Sequence, residues 1–192
     1  MGRSLNIPAA ALVAALALAL VGLTGCASAP DRAVSVAATY DLPYNLTDVL
    51  FSREMILHYR QSITMARLVP ERSKDAFVKS LAEKIITEET AQIDVMAGSL
   101  KAWEFAVPDA DNPPVHQMAG MLSPAQLLLL KGRSGPEFDR LWLTTLARHT
   151  DYGVRLAEKA RDEGKDRATV ELARKIAAEQ KSQLAELIKH LS

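Results

Sequence analysis

The amino-acid sequence predicts an all-α protein, a four-helix bundle made from two copies of one helical hairpin, joined by a long crossover that carries a short helix. Three observations lead there. No run alternates β-branched with polar residues, and no Asn-Gly hairpin turn occurs. The last helix keeps the three-and-four spacing of a buried face in Val170, Ala173, Ile176, Ala177, Gln180, Leu184, Leu187 and Leu191. Shifting the chain by 91 residues brings 13 identities into register over the 53 positions from 48 to 100 without a gap. Chance gives about three or four, so the register reads as an internal duplication.

The elements follow in order. Arg3 precedes an uncharged apolar run from Ile7 to Leu23, which closes on Leu23-Thr24-Gly25-Cys26. A basic start, an apolar stretch and small residues at its end make an export signal over residues 1–25. Leu-Thr-Gly-Cys resembles the lipobox of bacterial lipoproteins, and the chain's single cysteine falls at the position that would carry the lipid. Residues 26–44 are then a tether between lipid and domain. Asn45 can cap a first helix that runs to about Val69, where Pro70 stops it. A second helix spans about Lys74 to Trp103 and completes the first repeat, residues 45–103. The crossover, residues 104–135, holds Pro108, Pro113 and Pro114, then Ser123-Pro124-Ala125-Gln126, the pattern of a capping box with proline at the first helical position. The second repeat, residues 136–192, has a long helix to about Glu163, a break at Gly164 and a last helix to Leu191.

Composition narrows the function. Twenty-three basic and 23 acidic side chains balance, which argues against a nucleic-acid partner. One cysteine leaves no disulfide framework and no multi-cysteine zinc site. The chain has no Gly-x-Ser-x-Gly elbow, His-Glu-x-x-His or phosphate-cradling glycine loop, so it reads as a protein without catalytic machinery. A di-iron bundle needs Glu-x-x-His on two helices. Glu54 and His58 are one residue too far apart for that, and Thr145 stands where the second copy would need its glutamate.

The 91-residue register pairs His58 with His149. On the first helix Met55, His58, Ser62 and Met65 fall within about 80° of one another, a stripe of thioether and imidazole. Such a surface suits copper(I), because methionine binds without losing a proton. It equally suits a bundle core with methionine as filler and a hydrogen-bonded histidine. The second copy keeps His149 but has Leu146, Gly153 and Leu156 at the matching positions. In the crossover, His116, Met118 and Met121 could wrap a soft cation, or pack onto the bundle.

Together these segments resemble the DUF305 family of exported, duplicated, ferritin-like helical bundles. The carriers are Met55-Ile56-Leu57-His58-Tyr59, Ile63-Thr64-Met65-Ala66, and Ile85-Ile86 through Gln92-Ile93 to Met96. They continue in Gly120-Met121-Leu122-Ser123-Pro124, Glu137-Phe138-Asp139-Arg140-Leu141 and Leu146-Ala147-Arg148-His149-Thr150. The resemblance implies copper binding through paired histidines and methionines. Here the second histidine of each pair is replaced, by Tyr59 and Thr150, and the methionine expected late in the last helix is Leu187. Two readings stand. In one, a lipid-anchored protein outside the cytoplasm sequesters or passes copper, with His58, Met55, Met65 and Met96 as one site, His149 as its counterpart, and His116, Met118 and Met121 as a capture loop. In the other, the same residues serve the core of a structural or interaction lipoprotein. A shared site requires the histidine nitrogens and methionine sulfurs to converge within a few ångströms.

Overall fold

The computed structural model of the chain describes residues 41–109 and 118–192. The export signal, Cys26, most of the tether and His116 lie outside them. The described residues form six helices and no strand: α1 (Leu46–Ala66), α2 (Val69–Arg72), α3 (Ala76–Ala102), α4 (Pro124–Lys131), α5 (Gly135–Glu163) and α6 (Arg167–Leu191). None is long and apolar enough to cross a membrane.

Caps set the helix starts where the sequence puts them. Asn45 and Asp48 exchange bonds across the first turn of α1, the Asn45 side chain accepting from the Asp48 N–H at 3.1 Å and the Asp48 carboxylate from the Asn45 N–H at 2.8 Å. Ser123 and Gln126 do the same for α4, while Asp75 and Asp166 cap α3 and α6. One boundary differs from expectation. Pro70 does not end the first helix; α1 stops at Ala66 and Pro70 sits in the first turn of α2, where its missing N–H costs nothing.

Helices α1 and α3 pack as one antiparallel hairpin, α5 and α6 as the other, and the hairpins meet along α1 and α5. These two run antiparallel: Asn45 at the start of α1 donates to the Glu163 carbonyl at the end of α5, and the Trp142 indole N–H near the start of α5 donates to the Met65 carbonyl. The core divides into two apolar clusters. Val49, Phe51, Met55, Ile56, Met96, Ala157 and Ile176 fill the end where α1 begins. Met65, Val69, Val78, Ile85, Trp142, Leu146 and Leu187 fill the opposite end.

Asp48 ties the hairpins together at one end. It is fully buried, and its carboxylate accepts the Lys165 and Asp166 N–H groups, each at 3.0 Å, besides that of Asn45. Gly164 makes room: a Cβ there would lie 2.6 Å from Asp48 Oδ1 and closer still to the Ala160 carbonyl. Replacing Asp48 by Ala strands three N–H groups, and Gly164→Ala forces the turn off the carboxylate. Each is expected to cost about 1–3 kcal/mol in urea unfolding, and the double variant less than the sum, because both lose the same contacts.

Candidate functional site

A polar layer crosses the bundle between the two apolar clusters, and all four long helices contribute: His58, Tyr59 and Ser62 from α1, Glu89 and Gln92 from α3, His149 from α5, Gln180 from α6. All seven are buried. At its centre the His58 and His149 rings stack in parallel, with centroids 3.6 Å apart and planes 6° from parallel. The His58 Nε2–H donates to the His149 carbonyl at 2.9 Å, and the His149 Nε2–H to the His58 carbonyl at 3.1 Å. Carbonyls only accept, so a ring nitrogen that bonds one must carry the proton, as His58 does on Nε2. Each histidine thus clasps the other's backbone about a local two-fold axis.

The remaining ring nitrogens differ. His149 Nδ1 lies 3.2 Å from the Gly120 carbonyl, which pins the crossover to α5. His58 Nδ1 is buried without a partner, and so is Gln180 Oε1. Both side chains border the space above Gly153, where a Cβ would touch Gln180 Oε1 and lie 2.9 Å from His58 Cε1. Exchanging the Gln180 amide's oxygen and nitrogen, which share one shape, would place an N–H in that space beside the His58 ring. Ser62 stands where the register puts Gly153, and Glu89 where it puts Gln180. There the Ser62 hydroxyl meets Glu89 Oε2 and donates to the Tyr59 carbonyl at 3.0 Å. The Tyr59 hydroxyl donates to Gln92 Oε1 at 2.6 Å, and Gln92 Nε2 donates to Glu179 at 2.9 Å.

Burial sets the protonation states. It holds His58 well below the ordinary imidazole range, reinforced by the neighbouring His149. It lowers His149 as well, although the Gly120 and His58 carbonyls pull the other way. Burial pushes the Glu89 carboxyl well above its ordinary value, opposed by the Ser62 hydrogen bond and aided by Glu88. A protonated Glu89 donates to Ser62 Oγ, which frees the Ser62 proton for the Tyr59 carbonyl; one hydroxyl proton could not serve both.

The residues singled out in the sequence scatter over three places. His58 and His149 meet, but on each other's backbone. Met55 and Met96 lie in one apolar cluster and Met65 in the other. Ten residues of helix put Met55 and Met65 about 15 Å apart along the axis, too far for one ion. Met118 and Met121 end a tight turn, the Met121 N–H reaching the Met118 carbonyl at 3.4 Å, with Gly120 at φ 79°. A Cβ on Gly120 would also strike the Tyr152 ring, 2.7 Å from its Cγ. Met118 is buried and Met121 partly exposed, lining a cleft with Gln126, Thr145 and Arg148. Among the described residues no three His, Cys, Asp or Glu side chains group as metal ligands. Glu89, Gln92 and Tyr59 were not singled out as site residues; the signal available was a polar residue within an apolar stripe, at positions 89 and 180 of one register.

An all-α bundle with its two hairpins locked by a central histidine pair is the class of protein defined here. The sequence matches the DUF305 family, a domain of unknown function, over residues 48–191. The chain belongs to that family. Among solved structures it is similar to a DUF305 fragment from Deinococcus radiodurans, with TM-score 0.70 and 25% identity over 78% of this chain and 98% of that one. A DUF305 protein from Streptomyces coelicolor gives TM-score 0.67 and 26% identity over 73% and 89%. CopM in its Cu(II)-bound form gives TM-score 0.66 and 19% identity over 75% and 95%, a likeness of fold. No match is found among curated proteins.

Two pH effects follow with opposite signs. For a histidine whose folded pKa is depressed, the unfolded chain binds more protons, so stability is full above about pH 6.5 and falls as the pH drops below it. His149, with acceptors at both nitrogens, is expected to protonate before His58 as the pH is lowered, read by imidazole NMR titration. For Glu89, whose folded pKa is raised, stability falls as the pH rises through the ordinary carboxyl range. Glu89→Gln, which places at 89 what already stands at 180, is therefore expected to raise the unfolding midpoint at pH 7–8 and to leave it little changed near pH 4.

Proposed function

We propose that this chain is an extracytoplasmic DUF305 protein, tethered to a membrane by lipid on Cys26, that holds copper(I) at the Met118–Met121 turn while the histidine pair serves as a structural clasp. The observation that carries this reading is the turn itself. A β-turn holds the α-carbons of its first and last residues within about 7 Å, so residues 118 and 121 bring two methionines into one short turn. The His149–Gly120 contact pins that place to the bundle. His116, two residues before Met118, supplies an imidazole in the same short segment. Two sulfurs and a neutral nitrogen are the donor set a soft monovalent cation prefers, and none of them needs to lose a proton.

The family and fold support the reading. CopM, similar in fold, has been solved bound to Cu(I), Cu(II) and silver. The clasp, by contrast, offers a cation little: three of its four ring nitrogens face backbone carbonyls, and its rings are 1% exposed. That same observation favours the second reading, a structural or interaction lipoprotein in which the polar layer only fixes the bundle.

Competition of copper(I) between the protein and a chelator separates them. Met118→Leu with Met121→Leu is expected to weaken binding at least tenfold and to leave the unfolding midpoint nearly unchanged. His58→Gln is expected to do the reverse, lowering stability and keeping the copper affinity. Loss of binding in His58→Gln alone would move the site to the clasp, and no competitive binding in the wild-type chain would leave the second reading.

A further inference from the structure

Leu42, Leu46 and Leu50 are 47%, 69% and 43% exposed, although they belong to the segment that begins the bundle. They recur every fourth residue, and the spacing places Leu46 and Leu50 one turn apart on one side of α1. At the same end, the Tyr44 ring stacks on Trp103 at 4.7 Å and meets the edge of Phe105 at 6.0 Å. Trp103 is half-buried and Phe105 exposed. This end of the domain therefore presents leucine and aromatic side chains around the point where the chain enters it. Leucines, with a tryptophan and a tyrosine beside them, are the composition that settles into the boundary between headgroups and acyl chains.

We infer that this end of the bundle rests in the membrane surface, an inference that depends on the lipid anchor of the proposed function. The length of chain outside the described domain argues for that occupant. Cys26 is 15 residues before Asp41 (41 − 26 = 15), so even a fully extended connection reaches at most roughly 50 Å. Asp41 and Leu42 lie at the α5–α6 turn, where both contact Lys165. A lipid on Cys26 keeps the domain within that reach of the bilayer, and the chain enters the domain at this end. The other exposed leucine pair, Leu128 and Leu129 on α4, lies toward the opposite end, where Arg72 donates to the Lys131 carbonyl. Several charges around the entry are paired in place, Asp41 with Lys165, Arg161 with Asp162 and Lys159 with Glu163. The contact is therefore apolar and indifferent to salt, unlike the attraction of a basic patch for anionic lipid.

The test is fluorescence of the full chain, expressed with its leader, extracted in detergent and reconstituted into phosphatidylcholine vesicles with plain or brominated acyl chains. Trp103 emission is expected to drop about twofold in the brominated vesicles, at low and high salt alike. The drop should vanish in Trp103→Phe, shrink in the Leu42→Ser, Leu46→Ser, Leu50→Ser variant, and persist in Leu128→Ser, Leu129→Ser. Equal emission in the two vesicles, with the lipid on Cys26 verified by mass, overturns the inference and leaves the anchor standing. Concentration-dependent dimerisation lost in the triple variant, without quenching, overturns it in favour of a second copy on the same face. A mass that shows no lipid overturns the anchor instead. The single cysteine is then coupled to a maleimide lipid in the same vesicles, where the twofold drop supports the membrane face and its absence overturns it.

Discussion

The bundle is built around one reciprocal contact. His58 and His149 each donate Nε2–H to the backbone carbonyl of the other, with their rings stacked between α1 and α5. A backbone carbonyl in mid-helix already accepts one bond from its own helix, so the imidazole takes the second lone pair and must come close. Such a contact tolerates no sliding. Moving α5 by one residue against α1 would rotate both rings out of reach and leave two buried N–H groups unpaired, at about 1–3 kcal/mol each. The small neighbours follow from the same closeness: at Gly153 even a Cβ would meet His58 and Gln180. Apolar burial holds the hairpins together, but the clasp decides how they are held.

A polar layer in the middle of a core is costly unless satisfied, and here the two halves are built differently. On the first side Glu89 bonds Ser62, and Tyr59 leads through Gln92 to Glu179 at the surface. On the second side Gly153 has no side chain to offer, and Gln180 Oε1 and His58 Nδ1 border the same space without a partner. The local two-fold axis is thus respected by the backbone and the histidines and broken around them. That asymmetry gives His58 and His149 different environments, one nitrogen bare and the other set against the crossover.

Most of the fold was legible because helix ends announce themselves locally. Asn45 and Ser123 cap the helices that the pattern places after them, and Asp75 and Asp166 cap two whose starts the pattern places within about two residues. The pairing of His58 with His149 was also legible from the 91-residue register, but its chemistry was not. The acceptors are backbone carbonyls, which carry no residue identity and so leave no motif. The methionine stripe misled for a geometric reason. Helical periodicity reports the angle around an axis and says nothing of distance along it, so Met55 and Met65 share a face while filling opposite apolar clusters. In the sequence Gln180 reads only as part of a buried face, and its place beside the His58 ring shows in the space above Gly153.

The clasp and the crossover are mechanically one unit. His149 faces the His58 carbonyl through one nitrogen and the Gly120 carbonyl through the other. A neutral imidazole has a single N–H and cannot donate to both, so the two contacts compete for one proton. Anything that draws the Gly120 carbonyl away from His149, a cation gathering Met118 and Met121 included, relieves that competition and leaves the proton to the clasp. Conversely, a second proton on His149 would serve both carbonyls at the expense of a buried charge. On the proposed function, occupancy of the turn and protonation of the core would be linked through a single ring, and linkage of this kind is reciprocal. A cation that loosens the Gly120 contact must bind more weakly as His149 gains its proton, because the protonated ring holds the turn more firmly.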